Sequence, residues 1–128
     1  SRAVPGSPTI TEAEARVFRQ DPALKERVLR SFQLMLGFYG FSLNPAADAA
    51  GGVTITPAAD FQSKSGNWLT TANHNHLRIT RILRSLVLLG LKHEAQEWFA
   101  ALQRVYVANA DAIGRKSYEY WRNAVERG

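Results

Sequence analysis

The sequence has 128 residues, no cysteine, and sixteen Lys and Arg against eleven Asp and Glu, which give a net charge of +5. This length fits one domain, residues 1–128, with its own hydrophobic core. The missing cysteines exclude disulfides, thiolate zinc sites and a cysteine nucleophile. No apolar run approaches the ~18 residues of a membrane span, so we expect a soluble protein. The moderate positive charge serves solubility or favours acidic partners.

The first helix has a clear start signal. Residues 1–9 contain prolines and a glycine and are expected to form an extended lead-in. The chain begins with Ser1 rather than methionine, so we expect a processed or trimmed piece of a longer protein. Thr11 and Glu14 have the spacing of a capping box, which predicts a short helix to about Arg19.

A second, longer helix is predicted directly afterwards. Asp21 is suited to the N-cap position and Pro22 to the first helical position. Apolar residues then recur at steps of three and four, as on one face of a helix. Gly40 follows where a left-handed residue commonly ends a helix. The apolar stripe consists of Leu24, Val28, Phe32, Met35, Leu36 and Tyr39.

Residues 41–72 show no regular pattern and predict one long irregular loop. Prolines and glycines interrupt any periodicity, and loops of this length are often functional. Residues 53–56 have strand-like composition, but one strand needs a partner to be stable. Five apolar residues are expected to anchor the loop to the helices: Phe41, Leu43, Phe61, Trp68 and Leu69.

The remaining chain predicts three more helices. The first spans about Asn75–Leu89 and ends at Gly90, and its periodicity places Ile79, Ile82, Leu83 and Leu86 on one face. Leucines also lie on the opposite side, so this helix is apolar nearly all round, as is typical of a central helix. The next spans about Lys92–Ala108, and the last follows Gly114. The fold class is therefore all-α, a compact bundle of about five helices with one long irregular loop.

One ordered set of motifs identifies a family. Asn67, Trp68 and Leu69 are followed by the run His74–Leu83, which reads His-Asn-His-Leu-Arg-Ile-Thr-Arg-Ile-Leu. This arrangement resembles the conserved region of the opioid growth factor receptor family, in which a tryptophan precedes a His-Asn pair and then Leu-Arg-Ile-Thr-Arg-Ile-Leu. The segment 21–41 also resembles that family, and together the motifs cover roughly residues 10–103.

The resemblance implies a non-enzymatic recognition domain. Animal members are described as receptors for an enkephalin peptide that regulate growth and are associated with the nucleus. The expected partner is therefore a peptide or protein, and no cofactor is implied. The family also has bacterial members, and the Ala- and Arg-rich composition suits such a source. The expected location is cytoplasmic for a bacterial protein, and nuclear or cytoplasmic by resemblance to the animal family.

The candidate partner site combines an aromatic wall with polar groups at the start of the third major helix. Its predicted residues are Tyr39, Trp68, His74, Asn75, His76 and Arg78. For several of them a structural role is the alternative. Trp68 could instead be a buried anchor, and His74 or Asn75 could cap the incoming helix.

Three arginines suggest an alternative function. Arg78, Arg81 and Arg84 could form an anion-binding stripe of a nucleic-acid or phosphate-binding module, whose affinity would fall steeply with salt. They could instead pair with carboxylates such as Glu26, Glu94 or Glu97. Because Leu77 and Leu88 flank Arg81 and Arg84, we expect the long loop to cover this row and Arg81 to be buried.

No catalytic or metal site is predicted. His74 and His76 lie two residues apart, His93 is distant in sequence, and no carboxylate is near, so the metal-ligand spacing is poor. The serines and threonines lack an accompanying base with an acidic orienter.

Overall fold

The computed structural model describes residues 11–45, 52–70 and 73–126, so the predicted lead-in 1–9 lies outside the described residues. Helices take up well over half of the described chain, which confirms the all-α class. The helices are α1 (Glu12–Arg19), α2 (Pro22–Tyr39), α3 (Phe61–Lys64), α4 (Asn75–Leu88), α5 (Lys92–Ala108), α6 (Ala110–Ile113) and α7 (Arg115–Glu126). None of these described helices is both long enough and apolar enough to cross a bilayer.

The predicted helix boundaries of α1 and α2 are confirmed. Thr11 Oγ1 accepts a hydrogen bond from the Glu14 amide at 3.1 Å, and Glu14 Oε1 accepts from the Thr11 amide at 3.0 Å, which completes a capping box. Asp21 Oδ1 accepts from the Ala23 amide at 3.0 Å at the start of α2. Gly40, with φ of 92°, ends that helix in the left-handed conformation.

The segment 41–72 is more regular than the predicted irregular loop. Strand β1 (Phe41–Pro45) pairs with the antiparallel strand β2 (Val53–Pro57), and Leu43 lies opposite Ile55. The strand-like residues 53–56 therefore do have a partner, directly after the end of α2. Helix α3 and a 3₁₀ turn at Ser65–Asn67 follow. Residues 46–51 and 71–72 lie outside the described residues.

The core is built around three fully buried tryptophans, Trp68, Trp98 and Trp121. Trp98 lies among aromatic rings, with Phe32 edge-on at a centroid distance of 5.5 Å and Phe41 at 6.4 Å. Its Nε1 has no hydrogen-bond partner among the described residues, so packing in the core holds the indole, without a hydrogen bond. Helix α4 packs against α5 and α7. As predicted, α4 buries Ile79, Leu83 and Leu86.

Helix α1 is attached to the bundle at the α4–α5 turn. Arg19 Nη1 donates a hydrogen bond to the Leu88 carbonyl oxygen at 2.7 Å, so the side chain satisfies an acceptor at the end of α4. Gly90 in the turn has φ of 85°, and a Cβ atom there would lie 2.8 Å from Cγ of Arg19. Both the backbone conformation and the close approach of Arg19 therefore favour glycine.

We expect Gly90→Ala to lower the free energy of unfolding by about 1–3 kcal/mol, because a side chain at positive φ is strained and Arg19 must move. Gly37→Ala is the matched control. Gly37 lies in the last turns of α2 with open space around its Cβ position, so alanine there should raise stability by up to about 1 kcal/mol. Chemical denaturation followed by circular dichroism measures both. Equal effects of the two substitutions would contradict the role assigned to Gly90.

Candidate functional site

The C-terminal end of α2 and the first turn of α4 meet at a corner of the core. Asn67 Nδ2 donates to the Phe38 carbonyl at 2.8 Å, and Trp68 Nε1 donates to the Tyr39 carbonyl at 2.9 Å. These carbonyls belong to the last turn of α2, which has no helical donors for them. Asn75 Nδ2 in turn donates to the Asn67 carbonyl at 2.8 Å. Side chains that follow the hairpin therefore cap α2 and connect it to α4.

Asn73 caps the start of α4, instead of the predicted His74 or Asn75. Asn73 Oδ1 accepts from the Asn75 amide at 2.8 Å, and Asn73 Nδ2 donates to Thr70 Oγ1 at 2.8 Å. The exposed side chain of His74 makes no cap hydrogen bond. The asparagine two residues before the helix was a signal in the sequence, since Asn commonly bonds to the backbone two residues on.

His76 links α4 to Trp68 and to α7. Its Nε2 lies 2.6 Å from the Trp68 carbonyl oxygen, and because a carbonyl only accepts, Nε2 carries the hydrogen. Nδ1 can then accept from Ser117 Oγ at 3.4 Å. Trp121 Nε1 donates to the His76 carbonyl at 2.8 Å, and the two rings meet edge-on. Burial lowers the pKa of His76, although the bond to Trp68 acts in the opposite direction.

The Ser117–His76 contact lacks the usual arrangement of an activated nucleophile. A serine beside a histidine base is the usual arrangement of an activated nucleophile. Here the distance is 3.4 Å, the imidazole is buried, and its second nitrogen bonds to a backbone carbonyl instead of a carboxylate. The contact therefore serves helix packing. Within residues 11–45, 52–70 and 73–126, no group of three or more His, Asp or Glu side chains could hold a metal ion.

The structure brings the predicted partner-site residues together but buries most of them. Tyr39 and Trp68 are both 0% exposed, and Asn75 and His76 are each 5% exposed. They form the core corner described above, so Tyr39 and Trp68 cannot be an aromatic wall that a partner contacts directly. The buried-anchor interpretation of Trp68 agrees with its position.

Two of the predicted residues, His74 and Arg78, reach solvent. The charge of Arg78 acts on the buried Tyr39. Burial raises the pKa of the Tyr39 hydroxyl, and the positive charge of Arg78 lowers it in part.

The outer face of α4 is open, and the expectation that a loop covers it is wrong. Leu77 is 51% exposed, and Arg81 and Arg84 are exposed as well. The hairpin packs elsewhere, since β1 contacts α2 and β2 contacts α5. We define the α4 open face as His74, Leu77, Arg78, Arg81 and Arg84.

The α4 open face has no acidic counterpart on its own helix. Residues 61–93 contain no Asp or Glu, but they contain Lys64, Arg78, Arg81, Arg84 and Lys92. The alternative pairing of Arg78 or Arg81 with a carboxylate such as Glu26, Glu94 or Glu97 is not found among the ion pairs of the described residues. Glu26 instead pairs with Arg30 at 3.2 Å on α2.

We expect the stability contributed by His76 to depend on pH. Because the folded state favours the neutral imidazole, this contribution is fully present above about pH 6.5, the ordinary histidine value, and is lost as the pH falls through the lower pKa of the folded state. Nuclear magnetic resonance should show His76 titrating at lower pH in the folded chain than in the urea-unfolded chain. His76→Gln should flatten the pH dependence of stability in this range. An unshifted titration would contradict the effect of burial.

We expect Arg81→Ala to change the free energy of unfolding by less than about 0.5 kcal/mol, as at most surface sites. Leu83→Ala, two residues further along α4, is the matched control. Leu83 is completely buried, and its truncation should cost about 2–5 kcal/mol. Denaturation midpoints measure both effects. A large loss for Arg81→Ala would show that this arginine has a structural partner after all.

The sequence pattern of the family described as opioid growth factor receptor (OGFr) conserved region matches residues 5–127. The opioid growth factor receptor of Rattus norvegicus is 43% identical over 84 residues, which are 66% of this chain and 14% of the receptor. The receptor of Homo sapiens is also 43% identical over 84 residues, 66% of this chain and 12% of the receptor. The opioid growth factor receptor-like protein 1 of Mus musculus is 34% identical over 87 residues, 63% of this chain and 16% of that protein.

The chain thus matches only a small part of these relatives, between 12% and 16% of their length. No solved structure matches it. The family match nevertheless extends over nearly the whole chain and includes Trp68 and the run His74–Leu83, from which the resemblance was inferred. The chain belongs to the family of the opioid growth factor receptor conserved region.

Proposed function

We propose that this domain is a non-enzymatic recognition module that binds a peptide or protein partner through the α4 open face. The proposal depends on one observation: some residues of the family motif are buried and others are exposed to solvent. In the run His74–Leu83, folding accounts for the buried Asn75, His76, Ile79 and Leu83. Folding does not account for Leu77, Arg78 and Arg81, which project to solvent.

The composition of the open face supports binding. A large exposed apolar side chain among arginines is typical of protein interfaces, in which arginine is enriched. Leu77 provides apolar area, and Arg78 and Arg81 provide donors for carboxylate or carbonyl groups. Two of the relatives are named receptors, and this name is consistent with a recognition function.

The buried residues of the candidate site have a supporting role in this proposal. Asn75 and His76 are hydrogen-bonded to the Asn67 and Trp68 carbonyls, so the first turn of α4 is fixed before a partner arrives. A surface that is rigid in advance loses less entropy on binding. Tyr39, Trp68, Asn75 and His76 thus position the face, and His74 and Arg78 belong to it. By the family relationship we expect a nuclear or cytoplasmic protein, or a cytoplasmic one in a bacterium.

The test is to select peptides that bind the folded domain from a displayed library of random short peptides. The binding of an enkephalin peptide is measured in addition, as a defined probe. We expect at least one peptide to bind and to shift the backbone amide resonances of the first turns of α4. Arg78→Ala should weaken this binding about tenfold or more, since hydrogen bonds to charged groups contribute roughly 1.5–3 kcal/mol.

Arg30→Ala is the control, because Arg30 is an exposed arginine on α2 that already pairs with Glu26. It should leave binding unchanged. The absence of any bound peptide, or resonance shifts confined to surfaces away from α4, would contradict the proposed function.

A further inference from the structure

We propose that the partner segment is acidic, and that it places carboxylates on Arg78 and Arg81 and an apolar side chain on Leu77. This inference rests on the proposed function and specifies the chemistry of the partner. Three features of the α4 open face support it: the charge of the face, the spacing of its side chains along the helix, and the exposed apolar side chain of Leu77.

The charge of α4 differs from that of the other arginine-bearing helices. On α2 and α7, three exposed arginines have a glutamate four residues away, and two of these pairs are Arg30–Glu26 at 3.2 Å and Arg115–Glu119 at 3.1 Å. Arg122 approaches Glu126 in the same way at 3.9 Å. Helix α4 has no Asp or Glu at all, so Arg78 and Arg81 have no acidic side chain on their own helix to pair with. Among the described residues, Arg78 and Arg81 make no ion pair with any other element.

The spacing on α4 places the three groups side by side. Leu77 and Arg81 are four residues apart and Arg78 and Arg81 are three apart, so their side chains are neighbours on the helix surface, about 5–6 Å between Cβ atoms. A guanidinium binds a carboxylate through two parallel hydrogen bonds, which gives orientation as well as energy. A polypeptide with two acidic side chains and one apolar side chain on one face would match this arrangement.

Leu77 favours a polypeptide over a nucleic acid. Its 51% exposure leaves apolar area in contact with water beside Arg81, and an apolar side chain of a partner would remove that area. Proteins that bind single strands combine their cations with aromatic side chains on which bases stack. The exposed residues of α4 are Leu77, Arg78, Arg81, Arg84 and Ser85, with no aromatic among them.

The experiment compares the peptides selected by three forms of the full chain. These are the parent, the charge-reversed Arg78→Glu/Arg81→Glu variant, and an Arg16→Glu/Arg27→Glu control with the same change of net charge on exposed residues of α1 and α2. Circular dichroism first establishes that all three forms are folded. We expect the parent and the control to enrich peptides with more Asp and Glu than Lys and Arg. The charge-reversed variant should bind those peptides at least about tenfold more weakly and should enrich basic peptides instead.

The possible outcomes separate this inference from the proposed function. Neutral or basic peptides that map to α4 of the parent would overturn the acidic partner and leave peptide recognition intact. Acidic peptides that bind the charge-reversed variant as well as the parent would also overturn it. If no peptide is enriched, both proposals fail. A short single-stranded DNA that binds the parent more tightly than the best peptide, with affinity falling steeply with salt, would overturn the inference in favour of the nucleic-acid alternative.

Discussion

The carbonyl groups at the C-terminal end of α2 need hydrogen-bond donors, and the way they obtain them organises the rest of the domain. Trp68 donates to the Tyr39 carbonyl, and the Trp68 carbonyl accepts from His76. The His76 carbonyl accepts from Trp121. Three consecutive hydrogen bonds thus connect α2, α4 and α7 through buried side chains. A buried polar group without a partner costs about 1–3 kcal/mol. Moving one of these elements would leave such a group unpaired, so the three bonds hold the elements in fixed positions.

This connection explains why the family motif combines so many polar and aromatic residues. Histidines and asparagines next to a tryptophan are the residue types expected in a ligand site, but here their hydrogen-bonding groups are used inside the protein. Asn73, Asn75 and His76 all bond to the backbone or to side chains of the preceding segment or of α7. What remains for a partner is the row of residues that this network does not use.

The helices could be predicted from the sequence because their signals are local. Thr11, Asp21 and Gly40 act within a few residues of themselves, and periodicity identified the buried side of α4 through Leu83. The hairpin could not be predicted in this way, because Leu43 and Ile55 are well separated in sequence. Local propensity shows which residues favour a strand but does not show which strands pair. Nor could periodicity show that Arg81 is exposed. Leucines lie on both sides of α4, and only the packing of the hairpin on α2 and α5 leaves Leu77 uncovered.

Helix α4 therefore carries two sets of residues that do not overlap. His76, Ile79 and Leu83 hold the bundle together, and Leu77, Arg78 and Arg81 contribute nothing that the core requires. A helix divided in this way lets specificity change independently of stability. Under the proposed function, exchanging the arginines for other side chains would change the preferred partner and leave the scaffold intact.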